Sequence, residues 1–247
     1  MNKFFIIIFT LISSVSFGET INSLDIQYSE GLFYKKGIQK PFTGIVEGNS
    51  VGRLVNGKRE GTWEFFEDGK VVGRVNFKNG NRHGFWNEFY KDGRIKLSKT
   101  YVEGKQNGLE EKYYENGNLE WKRLYVDGEQ NGLSIEYFKN GNVHRKINYK
   151  EGWKHGLYES FYENGELSTK GEYYDNYKYG NWTYYRLNGK LQMTEEYDKE
   201  EFEKRFIKMF NNEGILKSSG MRYFNRDIGV WSYYEDNELI KTKGQDY

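Results

Sequence analysis

Cysteine is absent from this sequence of 247 residues, and proline occurs once, at Pro41. The first absence excludes a disulfide framework, thiolate metal sites and cysteine nucleophiles. The second excludes polyproline and collagen-like segments, although glycine occurs 29 times. A charge surplus is also lacking: 37 Lys and Arg stand against 36 Asp and Glu. A general nucleic-acid binder would need excess positive charge to neutralise phosphates. The apolar share is only 36%, yet 22 Tyr, 17 Phe and 6 Trp make aromatics 18% of the chain. A core built from this composition must be ring-rich rather than aliphatic, and so many rings separate the chain from disordered sequences.

One apolar run stands out. After Met1 to Lys3, a stretch opening on Phe4-Phe5-Ile6-Ile7-Ile8-Phe9 reaches Phe17, and Ser16 and Gly18 are small residues placed for a cut before Glu19. This is the pattern of a secretory signal peptide over residues 1–18, too short to span a bilayer. It predicts an exported protein of the periplasm, envelope or extracellular space. No Cys follows the run, so a lipoprotein anchor is excluded.

The rest of the chain is periodic. Gly84, Gly108, Gly132, Gly156 and Gly180 are 24 residues apart, and Gly61 precedes them by 23. Gly69, Gly93, Gly117, Gly141, Gly165 and Gly189 keep a 24-residue step, as do Phe77, Tyr101, Tyr125, Tyr149, Tyr173 and Tyr197. Three columns sharing one period define a repeat protein. In each unit an Asn-Gly or Asp-Gly pair, such as Asn116-Gly117, separates two ring-rich stretches, which is the strongest short hairpin signal. The predicted architecture is all-β: an elongated, solenoid-like, single twisted antiparallel sheet of tandem 24-residue hairpins.

A two-residue type I′ turn at Asn116-Gly117 pairs Tyr114 with Leu119, Lys112 with Trp121 and Gly108 with Tyr125, and cross-strand partners share a face. One face then gathers Trp63, Trp86, Tyr158, Trp182 and Trp231 with the closing Tyr column. It also takes the second aromatic of each pair (Phe66, Tyr90, Tyr114, Phe138, Tyr162) and the residue after each turn (Val71, Ile95, Leu119, Val143, Leu167, Leu191). The opposite face carries Lys122, Lys146 and Lys170, and Glu120, His144 and Ser168. It also carries the first aromatics Phe89, Tyr113, Tyr137 and Phe161, beside Leu109, Leu133 and Leu157. That aromatic ladder edged with lysines is the candidate partner surface.

The regular units span residues 61–200. Residues 19–60 read as a loose tail to Gln27 followed by an irregular capping hairpin. Residues 201–247 read as degenerate repeats and a cap. There Phe206 and Phe210 take the Trp and second-aromatic places, although Phe202, Phe206 and Phe210 at helical spacing keep a helix possible.

The unit G-L-Y-E-S-F-Y-E-N-G-E-L-S-T-K-G-E-Y (Gly156 to Tyr173), the start G-T-W-E-F-F-E-D-G-K-V (Gly61 to Val71) and the opening K-P-F-T-G (Lys40 to Gly44) resemble the bacterial MORN-repeat variant. The resemblance covers roughly Leu32 to Gly244. It implies stacked hairpins in a twisted sheet, and it includes proteins labelled as the YwqK-type antitoxin family. It also implies protein binding or scaffolding, or contact with membrane lipid. With an export signal, an antitoxin-like role would mean neutralising an exported toxin.

Chemistry is hard to find. His83 and His155 precede the repeat glycines three periods apart, a slot filled elsewhere by Glu60, Asn107, Asn131 and Tyr179, so they read as turn residues. Pairs such as Glu110-Glu111 and Glu195-Glu196 sit on adjacent strand positions and face opposite ways. Nucleophile-elbow and Ca²⁺-loop spacings are missing. No cofactor or metal is expected, and the sequence points to a non-enzymatic module with an as yet unidentified protein partner. The alternative is a peripheral module on an anionic membrane, and an open sheet edge would allow self-association.

Overall fold

The computed structural model describes residues 18–198, 200–201 and 203–245. The proposed signal segment up to Phe17, and Phe202 of the helical alternative, lie outside them.

Alternating ring and polar residues, with glycine at most turns, give a sheet of 20 strands among the described residues. From Gly44–Glu47 to Glu238–Gln245 each strand pairs antiparallel with the next in the chain, except that Glu129–Gln130 and Gly132–Tyr137 lie end to end and both pair with Leu119–Val126. One pairing departs from the expected antiparallel pattern. Thr20–Asn22 runs parallel to Gly44–Glu47 and forms the first edge, with Ile21 buried beneath it. The segment Glu19 to Gln27 is therefore an edge strand and the start of a hairpin rather than a loose tail. That hairpin, Ile26–Ser29 with Leu32–Lys35, is a separate two-stranded sheet. It lays Ile26 and Phe33 against the first core cluster of Phe42, Val46, Leu54 and Trp63.

The turns differ from expectation in an instructive way. Two-residue turns with both residues at positive φ lie between units, at Asn79-Gly80, Glu103-Gly104, Asp127-Gly128 and Glu151-Gly152. Within units only the glycine of Asn116-Gly117 has positive φ. Tyr114 N–H donates to Asn118 O at 2.8 Å and Gly117 N–H to Tyr114 O at 2.9 Å. The loop is thus three residues, Glu115-Asn116-Gly117, which shifts the pairing by one: Tyr113, not Tyr114, lies opposite Leu119. A bulge at Glu120 then shifts it back, so Lys112 faces Trp121 and Gly108 faces Tyr125 as predicted. The offset explains the 23-residue first step. The first unit lacks one residue before its turn, and Asp68-Gly69 closes a true two-residue loop between Glu67 and Lys70.

Between loop and bulge the faces are redistributed. Leu119 and its equivalents Val71, Ile95, Val143, Leu167 and Leu191 pair with Tyr113, Phe66, Phe89, Tyr137, Phe161 and Tyr185, respectively. They therefore join the outer face with the first aromatics instead of the Trp face, and Phe66 belongs to the first-aromatic column. Glu120 and His144 move the other way: Glu120 bonds Lys112 at 3.2 Å and His144 lies 4.5 Å from the Phe138 ring.

The second aromatics join successive units. The hydroxyls of Tyr90, Tyr114 and Tyr162 donate to the carbonyls of Tyr113, Tyr137 and Tyr185 at 2.5, 2.8 and 2.7 Å. Asn116 and Asn118 donate to Lys139 O, and Asn140 and Asn142 to Glu163 O. Phe138 occupies the same place without a hydroxyl. Phe138→Tyr is expected to add the missing bond to the carbonyl of Phe161 and to raise stability by about 1 kcal/mol, measured by urea denaturation.

The C-terminal units are strands throughout. Lys204–Phe210 pairs with Leu191–Tyr197 and with Leu216–Tyr223, which removes the helical alternative. Ile207, fully buried, takes the Trp place rather than Phe206, and Phe210 takes the first-aromatic place opposite Leu216. The turn at Asn212-Glu213-Gly214 is the ordinary one, with Asn211 N–H bonded to Ile215 O at 2.8 Å.

Candidate functional sites on the two sheet faces

The outer face carries the predicted ladder. At one register Glu111 faces Lys122, Lys122 faces Ile135, Ile135 faces Lys146, Lys146 faces Glu159 and Glu159 faces Lys170. Phe89, Tyr113, Tyr137 and Phe161 stand half-buried on the same face. Lys146 Nζ lies 5.4 Å from the Phe161 ring, and the Tyr113 hydroxyl donates to Glu111 at 3.0 Å. The lysines are not a bare basic stripe, because Glu159 stands 4.0 Å from Lys146 and 3.4 Å from Lys170. Beside them runs a column that alternation alone would have made polar. Phe85, Leu109, Leu133 and Leu157 are 59%, 51%, 45% and 37% exposed. Leu124, opposite Leu109, extends it.

The inner face holds the Trp and closing Tyr columns, and a third column that sequence reading missed. Two residues before the repeat glycines stand Arg59, Arg82, Gln106, Gln130, Lys154 and Lys178. From Arg82 on, each is the cross-strand partner of the preceding closing ring: Phe77–Arg82, Tyr101–Gln106, Tyr125–Gln130, Tyr149–Lys154 and Tyr173–Lys178. The four cations also sit over the closing ring of their own unit. Arg59 is 5.3 Å from Phe77, Arg82 5.1 Å from Tyr101, Lys154 5.1 Å from Tyr173 and Lys178 5.4 Å from Tyr197. The result is a ladder in which cations or amides alternate with rings. The 24-residue step was the available signal, but the column changes from Arg to Gln to Lys and so shows no single residue type.

Two charged clusters interrupt the inner-face rings. Glu110 takes a Trp place, is almost fully buried, and lies 3.2 Å from Lys99 and 4.0 Å from Arg123. Arg123 stacks on Trp121 at 4.5 Å and reaches Glu136, which Arg145 clasps with two bonds of 2.6 and 2.9 Å. Further on, Glu195, 6% exposed, accepts from Tyr184 at 2.5 Å, Tyr197 at 3.0 Å, Lys178 at 3.2 Å and Arg205 at 2.8 Å. Arg205 enters because this unit lacks the strand bulge, and its strand pairs with Leu191–Tyr197 in unbroken register. Burial and the neighbouring carboxylate push the Tyr184 and Tyr197 hydroxyls far above the ordinary tyrosine range. Burial also pushes the Glu195 carboxyl up, but the Tyr184 hydroxyl, Lys178 and the Tyr197 hydroxyl outweigh it and hold it below the usual value.

His83 and His155 are tied to turns. His155 lies 3.2 Å from Asp175 and His83 accepts from Glu103 N–H at 3.5 Å, both partners being positive-φ turn residues. Glu110 and Glu111 face opposite sides, as expected of adjacent strand positions. Among the described residues no group of three or more His, Asp or Glu side chains is placed to hold a metal ion.

Stacked hairpins joined by a repeating set of turn-to-turn bonds define a β-solenoid. Four of its segments, 59–79, 106–127, 130–151 and 154–176, match the MORN repeat variant. The chain therefore carries MORN-variant repeats over these segments, and each matched segment opens on a member of the inner-face column: Arg59, Gln106, Gln130 or Lys154. The unit opening on Arg82 has the same pairing without matching. No curated protein matches the chain significantly.

Proposed function

We propose that this is an exported, non-enzymatic module that binds an elongated protein partner along its outer face. The observation that carries the reading is the exposed column Phe85–Leu109–Leu133–Leu157, repeated at the period of the units beside the half-buried aromatic ladder. Exposed apolar side chains of this kind are what protein interfaces use, and here they recur on successive hairpins, joined through Leu124 and separated by Thr100 and Asn148. MORN repeats are a non-catalytic repeat type, which agrees with a binding role. The signal-like N-terminus supports export, which would put the partner in the periplasm, envelope or extracellular space. An antitoxin- or immunity-like role toward an exported toxin is the form of this reading that the resemblance to YwqK-type proteins suggests. The membrane alternative draws on Lys122, Lys146 and Lys170, but the sharing of Glu159 between two of them weakens the attraction to anionic lipid.

The test is co-purification from the exported fraction of the native host. Wild-type protein is expected to retain a defined partner that Leu109→Asp/Leu133→Asp/Leu157→Asp loses, with the fold unchanged by circular dichroism. Retention of the same partner by the triple variant would remove the outer face from the reading. Binding to anionic vesicles at physiological salt would favour the membrane alternative.

A further inference from the structure

The inner face carries a groove at its N-terminal end, away from the outer-face column. A groove of about 650 Å³ is lined by Arg59, Phe65, Val75, Phe77, Arg82 and Trp86, with Gly73 on the same wall. The volume is within the range of small-molecule sites. Its two guanidiniums differ from most in this protein: Arg53 and Arg226 are exposed, and Arg186 donates to Phe210 O at 3.0 Å. Arg74, Arg94, Arg123, Arg145, Arg205 and Arg222 each lie against a carboxylate. Among the described residues, Arg59 and Arg82 have no such partner and are held by rings alone. Arg59 is 4.9 Å from Phe33 and Trp63, and Arg82 is 4.6 Å from Trp86. Arg59 Nε is buried without a hydrogen-bond partner, and burial lowers the proton affinity of its guanidinium. Stacking offsets part of the cost of burying a cation, but a counter-charge is missing. The one carboxylate in the lining, Glu88, lies six residues along the strand from Arg82, roughly 20 Å away at the usual strand rise.

We propose that this groove binds a small carboxylate with an apolar body, the carboxylate between Arg59 and Arg82 and the body on Phe65, Val75 and Trp86. Planar guanidiniums match a carboxylate by paired hydrogen bonds, and the rings that orient them supply the apolar floor. Gly73 keeps the floor open: a Cβ there would meet Phe65 and Asn87 only at ordinary contact distances of 3.7 to 3.8 Å. The site is on the face opposite the proposed partner surface, so neither reading depends on the other.

Calorimetric titration of the full chain with 3-phenylpropionate, against 3-phenylpropylamine and 3-phenylpropanol, tests it. Saturable binding of the carboxylate alone is expected. Arg82→Gln should weaken it at least tenfold, Gly73→Leu should block it by filling the floor, and Lys154→Gln, further along the ladder, should leave it unchanged. Near-UV circular dichroism verifies that each variant is folded. The proposal is overturned if the carboxylate does not bind saturably, if the amine or alcohol binds as well, or if folded Arg82→Gln retains full affinity. Tighter binding of phenyl phosphate would overturn the choice of carboxylate.

Discussion

Gly171→Ala is expected to lose about 3 kcal/mol of stability, the upper part of the range for forcing atoms into a packed site. Trp182, 2% exposed, lies flat on this glycine. A Cβ at residue 171 would stand 2.6 Å from Trp182 Cγ and closer still to the fused ring bond. The ring cannot yield easily. Its Nε1 donates to Glu172 O at 3.0 Å, Tyr158 and Tyr173 flank it at 5.2 and 4.9 Å, and Lys178 covers it at 4.5 Å. Gly52 under Trp63 and Gly220 under Trp231 repeat the arrangement. Urea denaturation checks the prediction, and Trp182→Leu in the same chain should restore part of the loss by making room. Gly73→Ala is the control, because its backbone is not left-handed and its added methyl has space, so stability should change by less than about 1 kcal/mol.

Glu195→Ala is the second large effect, with a loss of about 3–5 kcal/mol expected when one member of a buried charge cluster is removed. Lys178 and Arg205 would remain on the inner face without their carboxylate, and Tyr184 and Tyr197 without their acceptor. The pH dependence has a definite sign. The Glu195 carboxyl is held below its ordinary range, so its contribution is present above about pH 4.3 and fades as pH falls through the lower, folded value. The Tyr184 and Tyr197 hydroxyls are shifted upward, so theirs is present below about pH 10 and fades as pH rises beyond it. The stability gap between wild type and Glu195→Gln, followed by denaturation across pH, should therefore narrow in acid. A gap that persists unchanged at low pH would show that the carboxylate charge is not what holds the cluster.

The period, the all-β class and most of the strand register could be read from the sequence because glycines and closing tyrosines repeat with one identity per column. The turn geometry was harder. Asn-Gly serves both two-residue and three-residue loops, and only the pairing partners of Tyr113 and Leu119 separate them. The outer ladder of Phe89, Tyr113, Tyr137, Phe161, Lys122, Lys146 and Lys170 shares a face as alternation requires. What alternation could not reveal is that Glu159 is shared between two of the lysines. The inner column from Arg59 to Lys178 escaped because its members share only a long stem and a polar tip, and what unites them is a ring that each covers or pairs with across the strands. Ile207 escaped for the opposite reason: a lost glycine and a longer loop before Lys204 move the whole unit by one residue, and Phe206 then imitates the wrong column.

The paired offset in the hairpins with three-residue loops, one residue gained in the loop and one returned at the bulge, bears on how such an array can grow. A lone insertion would turn every later ring to the wrong side of the sheet. Since each unit cancels its own displacement before the next begins, whole units can be duplicated or lost without disturbing their neighbours, and single residues cannot. The first unit and the last hairpin show a way of shortening that keeps step: the residue is removed from the loop itself, and the chain resumes in register at Gly73 and at Lys241.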